Sequence, residues 1–320
     1  MQVKFWGVRG SLPVANSNQQ KLEHIKQVLS LFKSSPYFLT GDIDQFLSQT
    51  DARKTIGYGE ATSCVEIKNT TTNFENLIID GGSALKIYND YLSQKRREQT
   101  RHHILMTHFH YDHIMGLPFF APHFIKGHEV HYYSVQPECE SVVRGLFAKP
   151  IFPVTYENLS AKIFFHQLKP YEKTQINGFL ITPYKMDHPD PCFGFRIEKN
   201  GKVYSHAVDH ESVRITPEQL GPDAELFQNT DLLFFDAQYT EAEMSGKNGW
   251  GHGTFTRAFE VCSLYNVKRA VLAHHDPSYG TLEMQALEAK ARAEFEVCKK
   301  EKNIEQLVWS FGCDGEEITL

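Results

Sequence analysis

The segment ILMTHFHYDHIMG, residues 104–116, constrains the fold more than any other stretch of the chain. A short apolar run ending at Thr107 reads as a strand, and His108, His110, Asp112 and His113 follow at the turn into a helix. Four candidate ligands thus fall within six residues. Alternate positions on an extended segment point the same way, so His108 and His110 can share one ion while Asp112 and His113, at the helix start, face a second. A histidine-rich surface loop would explain any one of these residues, but not a whole cluster fed by an apolar strand.

The rest of the chain supplies more strands of the same kind. Short apolar stretches, often β-branched or aromatic, alternate with helical segments: VKFWGV, SCVEIKN, NLIID, HILMTH, EVHYYSV, KIFFHQL, FLITPYKM, CFGFRIE, KVYSHAVD, DLLFFDA, RAVLAHH and EQLVWSF. Twelve strands are enough for two sheets packed face to face, with helices after Ser83, Asp112, Glu140, Thr254 and Thr281 covering the outside. The fold class expected is therefore α/β, a four-layer αββα sandwich. Asn200-Gly201 predicts a two-residue hairpin, since both residues tolerate positive φ. No internal repeat or Gly/Ser-rich linker is visible, so residues 1–320 are read as one domain, with a polar helical insertion at Asn16 to Thr55 that would serve as a lid, an oligomer contact or decoration.

Composition narrows the partners. Lys plus Arg total 33 against 39 for Asp plus Glu, and a formal charge of −6 gives a polyanion such as RNA no bulk attraction, which favours small substrates over nucleic acid. Cys64, Cys139, Cys192, Cys262, Cys298 and Cys313 form no Cys-x-x-Cys pair and read as reduced thiols, hence a cytoplasmic location. The start, MQVKFWGVRGS, lacks the apolar core of a signal peptide, and no run of eighteen apolar residues offers a membrane span.

The His-x-His-x-Asp-His run resembles the signature of the metallo-β-lactamase superfamily, and further motifs follow in that family's order along nearly the whole chain. Asp80 in LIIDGG matches a turn that supports the metal loop, His188 in KMDHPD the third histidine of the first metal, Asp209 in SHAVDHE the carboxylate shared by both, and His274 in VLAHHDP the last ligand of the second. The resemblance implies the four-layer metallo-β-lactamase sandwich and two divalent metal ions. His108, His110 and His188 would hold the first, Asp112, His113 and His274 the second, and Asp209 both. Zinc suits the histidine-rich set, and manganese or iron is compatible with its N/O donors. Strand alternation lets only one of His274 and His275 enter the site, and the motif favours His274. His102, His103, His123, His128, His131, His166, His206 and His210 match no motif and are read as structural, with His206 near enough to Asp209 to reach the ligands' surroundings.

The block GWGHGTFTRAFEVCSLYNVKRAVLAHHDP resembles the ribonuclease Z and phosphodiesterase branch of the family. By that resemblance His252 protonates the leaving oxygen and Asp236, in LLFFDAQY, orients it, so that His252, Asp236 and Asp112 are the catalytic residues expected; the branch's serine is here Gly253. FWGVRGS at residues 5–11 and GWGH at 249–252 are similar to bacterial phosphodiesterases of this fold, which read Gly-Gly-Asn-Thr-Ser-Cys where Gly59 to Cys64 read GEATSC. Arg9 then either faces a substrate phosphate or sits in a structural turn. Phe119, Phe120, Phe124, Tyr132, Tyr133, Phe147, Phe152 and Phe164 either stack a base or fill the core. The function expected is a dinuclear metal-dependent phosphodiesterase acting on a small phosphodiester, foremost a cyclic nucleotide, in a homodimer. An RNA-processing endonuclease and a non-catalytic nucleotide- or metal-binding module are the alternatives.

Overall fold

Alternation along the strands builds three cores, and these define four layers. In the computed structural model, which describes residues 1–70 and 76–320, fourteen strands form two seven-stranded sheets. The first holds β1 (Gln2–Gly7), β2 (Cys64–Lys68), β3 (Asn76–Ile79), β4 (Arg101–Leu105), β5 (Glu129–Ser134), β6 (Lys162–Gln167) and, beyond β1, the last strand of the chain. The second holds β7 (Thr174–Ile176), β8 (Phe179–Lys185), β9 (Phe193–Lys199), β10 (Lys202–Ala207), β11 (Leu232–Asp236), β12 (Arg269–Ala273) and β13 (Val308–Phe311). The last strand, β14, is Glu317–Thr319.

Leu232 and Phe234 point between the sheets, where Phe234 stacks on Phe5 with ring centroids 4.7 Å apart, while Leu233 and Phe235 point outward to Phe259 and its neighbours. In the first sheet Leu105 faces the inner core and Ile104 the outer one, which is covered by the helix Leu85–Lys95 through Leu85, Tyr88 and Leu92. The helices Phe255–Leu264 and Thr281–Cys298 cover the second sheet through Phe259, Val261, Met284, Ala291 and Phe295. Fully burying one such side chain stabilises the fold by about 1.5–3 kcal/mol. The result is the αββα sandwich that the strand pattern predicts.

Both sheets follow one pairing scheme. Three antiparallel pairs, from β14 through β1 and β2 to β3, continue as three parallel pairs to β6, and the series from β7 to β13 repeats it. The fold thus contains a structural duplication that the sequence does not display. Asn200 and Gly201, at φ 52° and 72°, close the β9–β10 hairpin as expected. The sequence reading misses β7 and β14, three-residue edge strands too short for a periodic signal.

Residues 16–55 carry the helices Asn18–Lys33, Ile43–Gln49 and Ala52–Thr55. Ser17 and Gln20 form a reciprocal capping box at the first. This region contacts the helix Thr281–Cys298 through Gln27 to Gln285 and the end of β13 through Arg53 to the Phe311 carbonyl, and none of its residues lines the cavity described below. Among the described residues no helix is long and apolar enough to cross a membrane. All six cysteines are free thiols.

Candidate active site

The candidate site lies beyond the carboxyl ends of the strands, where α/β sheets bind ligands. Asp80 follows β3, His108 follows β4, His188 follows β8, Asp209 follows β10, Asp236 ends β11 and His274 follows β12. Asp80, Asp209 and His274 have φ of 61°, 58° and 60°, a left-handed conformation that turns the chain sharply as each strand ends. His274 therefore enters the site from a residue just past the strand. Gly10 makes room for it, because a Cβ there would lie 2.3 Å from His274 Nδ1.

The seven residues expected as ligands come together in two groups around Asp209. His108, His110, His188 and Asp209 form one, and Asp112, His113 and His274 the other. Asp209 Oδ1 lies 3.9 Å from both His108 Nε2 and His188 Nε2, whereas Oδ2 lies 2.8 Å from His113 Nε2 and 3.2 Å from His274 Nε2. One carboxylate thus turns an oxygen toward each group. Asp112 Oδ2 sits 3.3 Å from His113 Nε2 and 3.2 Å from His274 Nε2.

Each imidazole is oriented from outside by its other nitrogen. His108 Nδ1 meets Thr107 Oγ1 at 3.1 Å, His113 Nδ1 meets Asp80 Oδ2 at 2.7 Å, His188 Nδ1 meets the Asp190 carbonyl at 3.0 Å, and His274 Nδ1 meets Gln238 Oε1 at 3.1 Å. His110 engages Asp190 through Nε2 at 2.9 Å, which leaves Nδ1 for the cluster. Asp80 also accepts the Thr107 amide and hydroxyl, so one carboxylate fixes both the loop and His113. Thr107, Asp190, Gln238 and Ser11, whose amide donates to Asp112 Oδ2 at 2.7 Å, lie within or at the ends of the quoted motifs but are contributors to which those motifs assign no role.

These residues fit divalent cations. His108 Nε2 and His188 Nε2 are buried without a hydrogen-bond partner, each facing Asp209. Asp80, Asp112, Asp209 and Asp236 are all buried, and among the described residues their ion pairs are with histidines alone. Burial opposes a charge on His113, yet Asp112, Asp209 and Asp80 hold it above the usual imidazole range; for His274 burial is likewise outweighed, by Asp209 first, and it is raised to about 9. Burial would raise the Asp209 carboxyl, but His274, His113 and His108 hold it well below the usual range. A cluster of buried carboxylates that draws positive charge onto imidazoles is one that cations satisfy.

A third grouping, Asp209, Asp236, His252 and His274, is arranged differently. Asp236 Oδ2 accepts from the Asp209 amide and His252 Nδ1, both at 3.0 Å, and Oδ1 from the amides of Gly253 and Gln238. Its oxygens are filled by N–H donors, so Asp236 orients His252 and is not free to bind a metal. The carboxylate only accepts, which puts the proton on His252 Nδ1 and leaves Nε2 as the other ring nitrogen. Gly253 is required sterically: a Cβ there would lie 2.7 Å from the Asp236 carbonyl, so the branch's serine does not fit this backbone. His252 lines a cavity of about 340 Å³ with Ser11, Phe109, His110, Tyr111, Asp112 and Asp209.

Other expectations are corrected or resolved by position. Arg9 is only 2% exposed, and its guanidinium donates to the carbonyls of Gly59, Asp276 and Tyr279. It is the structural turn, not the phosphate contact, and burial lowers its pKa to about 10. His275 points away from the site, packing on Tyr58 and Phe311 with Nε2 against the Gly312 carbonyl. His206 bonds Tyr204 between the sheets, and among the described residues its Nε2 has no hydrogen-bond partner. Phe120, Tyr132 and Phe147 fill the outer core and Tyr133 the inner one, and none of the eight aromatics named above lines the cavity.

The fold and the paired groups define a class that the comparisons identify. A family model described as "Beta-lactamase superfamily domain" matches residues 76–275, and the chain belongs to this superfamily, with the metallo-β-lactamase fold. The chain is 27% identical to ribonuclease Z of Staphylococcus carnosus over 157 residues, 47% of this chain and 48% of that protein, so the match spans about half of that relative. It is 25% identical to ribonuclease Z of Archaeoglobus fulgidus over 222 residues, covering 55% of this chain and 70% of the relative. In fold it is similar to the metallo-β-lactamase fold protein YhfI of Bacillus subtilis, with a TM-score of 0.62 at 16% identity over 99% of this chain and 98% of that one. It is also similar to the short form of human tRNase Z, with a TM-score of 0.58 at 17% identity over 100% and 99%.

Proposed function

We propose that this protein is a dinuclear metal-dependent phosphodiesterase acting on a small phosphodiester, foremost a cyclic nucleotide opened to a nucleoside monophosphate. The observation that carries this reading is Asp209, whose two oxygens face two separate histidine groups beside the His252–Asp236 pair. Two divalent ions there, zinc first and manganese or iron also compatible, would supply an activated water and neutralise the charge of the diester. The chain's own residues do the rest. The two histidine groups and Asp209 would hold the ions. His252, held by Asp236 through Nδ1, presents Nε2 to deliver a proton to the departing oxygen. The cavity, about 340 Å³, is the size of a small-molecule site.

The curated relatives named ribonuclease Z favour a second reading, an RNA-processing endonuclease. Net acidity argues for the small substrate. Comparing kcat/KM for cyclic mononucleotides, cyclic and linear dinucleotides, a precursor tRNA and bis(p-nitrophenyl) phosphate with metal-replete protein separates them. Preference for the precursor tRNA, with binding that falls steeply with salt, would replace the small-substrate reading. Turnover of none of the diesters would sink both. His252→Ala should keep both metals and lower kcat by roughly 10²- to 10⁴-fold for an alkoxide leaving group, but far less for nitrophenolate. An equal loss on both would remove the proton-donor role.

A further inference from the structure

Glu211 closes the SHAVDHE segment two residues after Asp209 and has no role in the resemblance described above, yet it is only 6% exposed and its carboxylate is directed at the loop that carries His252. Its Oε2 accepts the backbone N–H groups of Gly249, at 2.8 Å, and Gly251, at 3.2 Å. The main-chain oxygen of Glu211 accepts from Arg257 Nη1 at 2.5 Å, and Arg257 belongs to the helix that begins just after His252. One residue therefore holds the approach to His252 through its side chain and the exit through its backbone.

The loop needs such a hold. Gly249 and Gly251 adopt φ of 80° and 89°, and Gly251 is pressed so close to His188 that a Cβ would lie 2.3 Å from its ring. With glycines at 249, 251 and 253, little in the chain itself restricts where the imidazole goes. Downstream, Asp236 fixes the Gly253 amide and His252 Nδ1. Upstream, the contacts to Glu211 supply the matching anchor.

We propose that Glu211 is a positioning residue for His252: it sets the imidazole against Asp236 through the backbone of residues 249–251, without touching substrate or metal. The effect on rate rests on the reading of His252 as proton donor; the effect on ring geometry does not.

The test uses full-length, metal-loaded Glu211→Ala, Glu211→Asp and Glu211→Gln beside wild type and His252→Ala. Three quantities are measured: metal content, kcat on an alkoxide-leaving diester and on bis(p-nitrophenyl) phosphate, and the NMR signal of the hydrogen-bonded His252 Nδ1–H, assigned by its absence from His252→Ala. Glu211→Ala should retain its metals, lose up to about 10²-fold on the alkoxide substrate with little change on the nitrophenyl ester, and shift or broaden the His252 signal. Glu211→Gln, whose side-chain carbonyl can accept both amides, should recover both the rate and the signal. Glu211→Asp keeps the charge but is too short to reach both glycines, so it should show the alanine pattern more weakly even if the alanine variant does not fold. An unmoved His252 signal in the alanine and aspartate variants overturns the proposal. So does an equal loss on the two substrates, or failure of glutamine to rescue. If His252→Ala itself shows no leaving-group dependence, the proton-donor reading fails, and the NMR signal still decides whether Glu211 positions the ring.

Discussion

Asp80→Asn tests whether a residue that binds no metal governs how tightly one is held. Asparagine preserves size and tolerates the φ of 61° at this position, so backbone strain does not confound the result. Asp80 has two acceptor oxygens, one receiving the Thr107 amide at 2.9 Å and the other His113 Nδ1 at 2.7 Å. An amide can accept at only one of these. If its NH₂ faces Thr107, two buried donors meet, at a cost of about 1–3 kcal/mol in stability. If its NH₂ faces His113, the ring must carry its proton on Nε2, the nitrogen 2.8 Å from Asp209 that serves the metal group. Loss of such an outer partner lowers metal affinity by roughly 10- to 100-fold, about 1.4–2.7 kcal/mol. Competition with a calibrated chelator should show one equivalent of metal weakened by that factor, while the equivalent held with His108, His110 and His188 stays tight. Wild-type affinity for both equivalents together with an unchanged Tm would refute this account of Asp80.

Three further outcomes are expected. His274→Ala should lose one equivalent of metal, while His275→Ala, which empties a buried position against Tyr58 and Phe311, should keep its metals and lower stability by about 2 kcal/mol; the opposite pattern on metal analysis would show that the wrong partner had been chosen. Arg9→Met strips donors from three backbone carbonyls and should lower Tm with KM unchanged, whereas a raised KM at constant Tm would restore Arg9 to the substrate. Burial pushes His102 and His123 down to about 3, so both rings are neutral in the folded protein but protonate near 6.5 when unfolded. Their contribution to stability is therefore full above pH 6.5 and is lost as pH falls toward 3; a Tm that does not change between pH 7 and pH 5 would contradict it.

The sequence by itself determined the sandwich and which residues gather. Period-two alternation in strands such as β4 and β11 dictates an inner and an outer core, and the spacing of His108, His110, Asp112 and His113 is local enough for covalent geometry to fix which of them share a face. His188, Asp209, His252 and His274 were legible because each carries a local motif at a strand or loop end. Tertiary structure alone decided how they are held. Ser11 reaches Asp112 across 101 residues and Gln238 reaches His274 across 36, contacts that no local pattern encodes. It also decided that Arg9 is buried by three carbonyls from loops far along the chain, and that Glu211 fastens the His252 loop. The reason is physical: a side chain's periodicity and neighbours bias its own backbone, but a polar group's partner is set by which loops the packed sheets bring within hydrogen-bond reach.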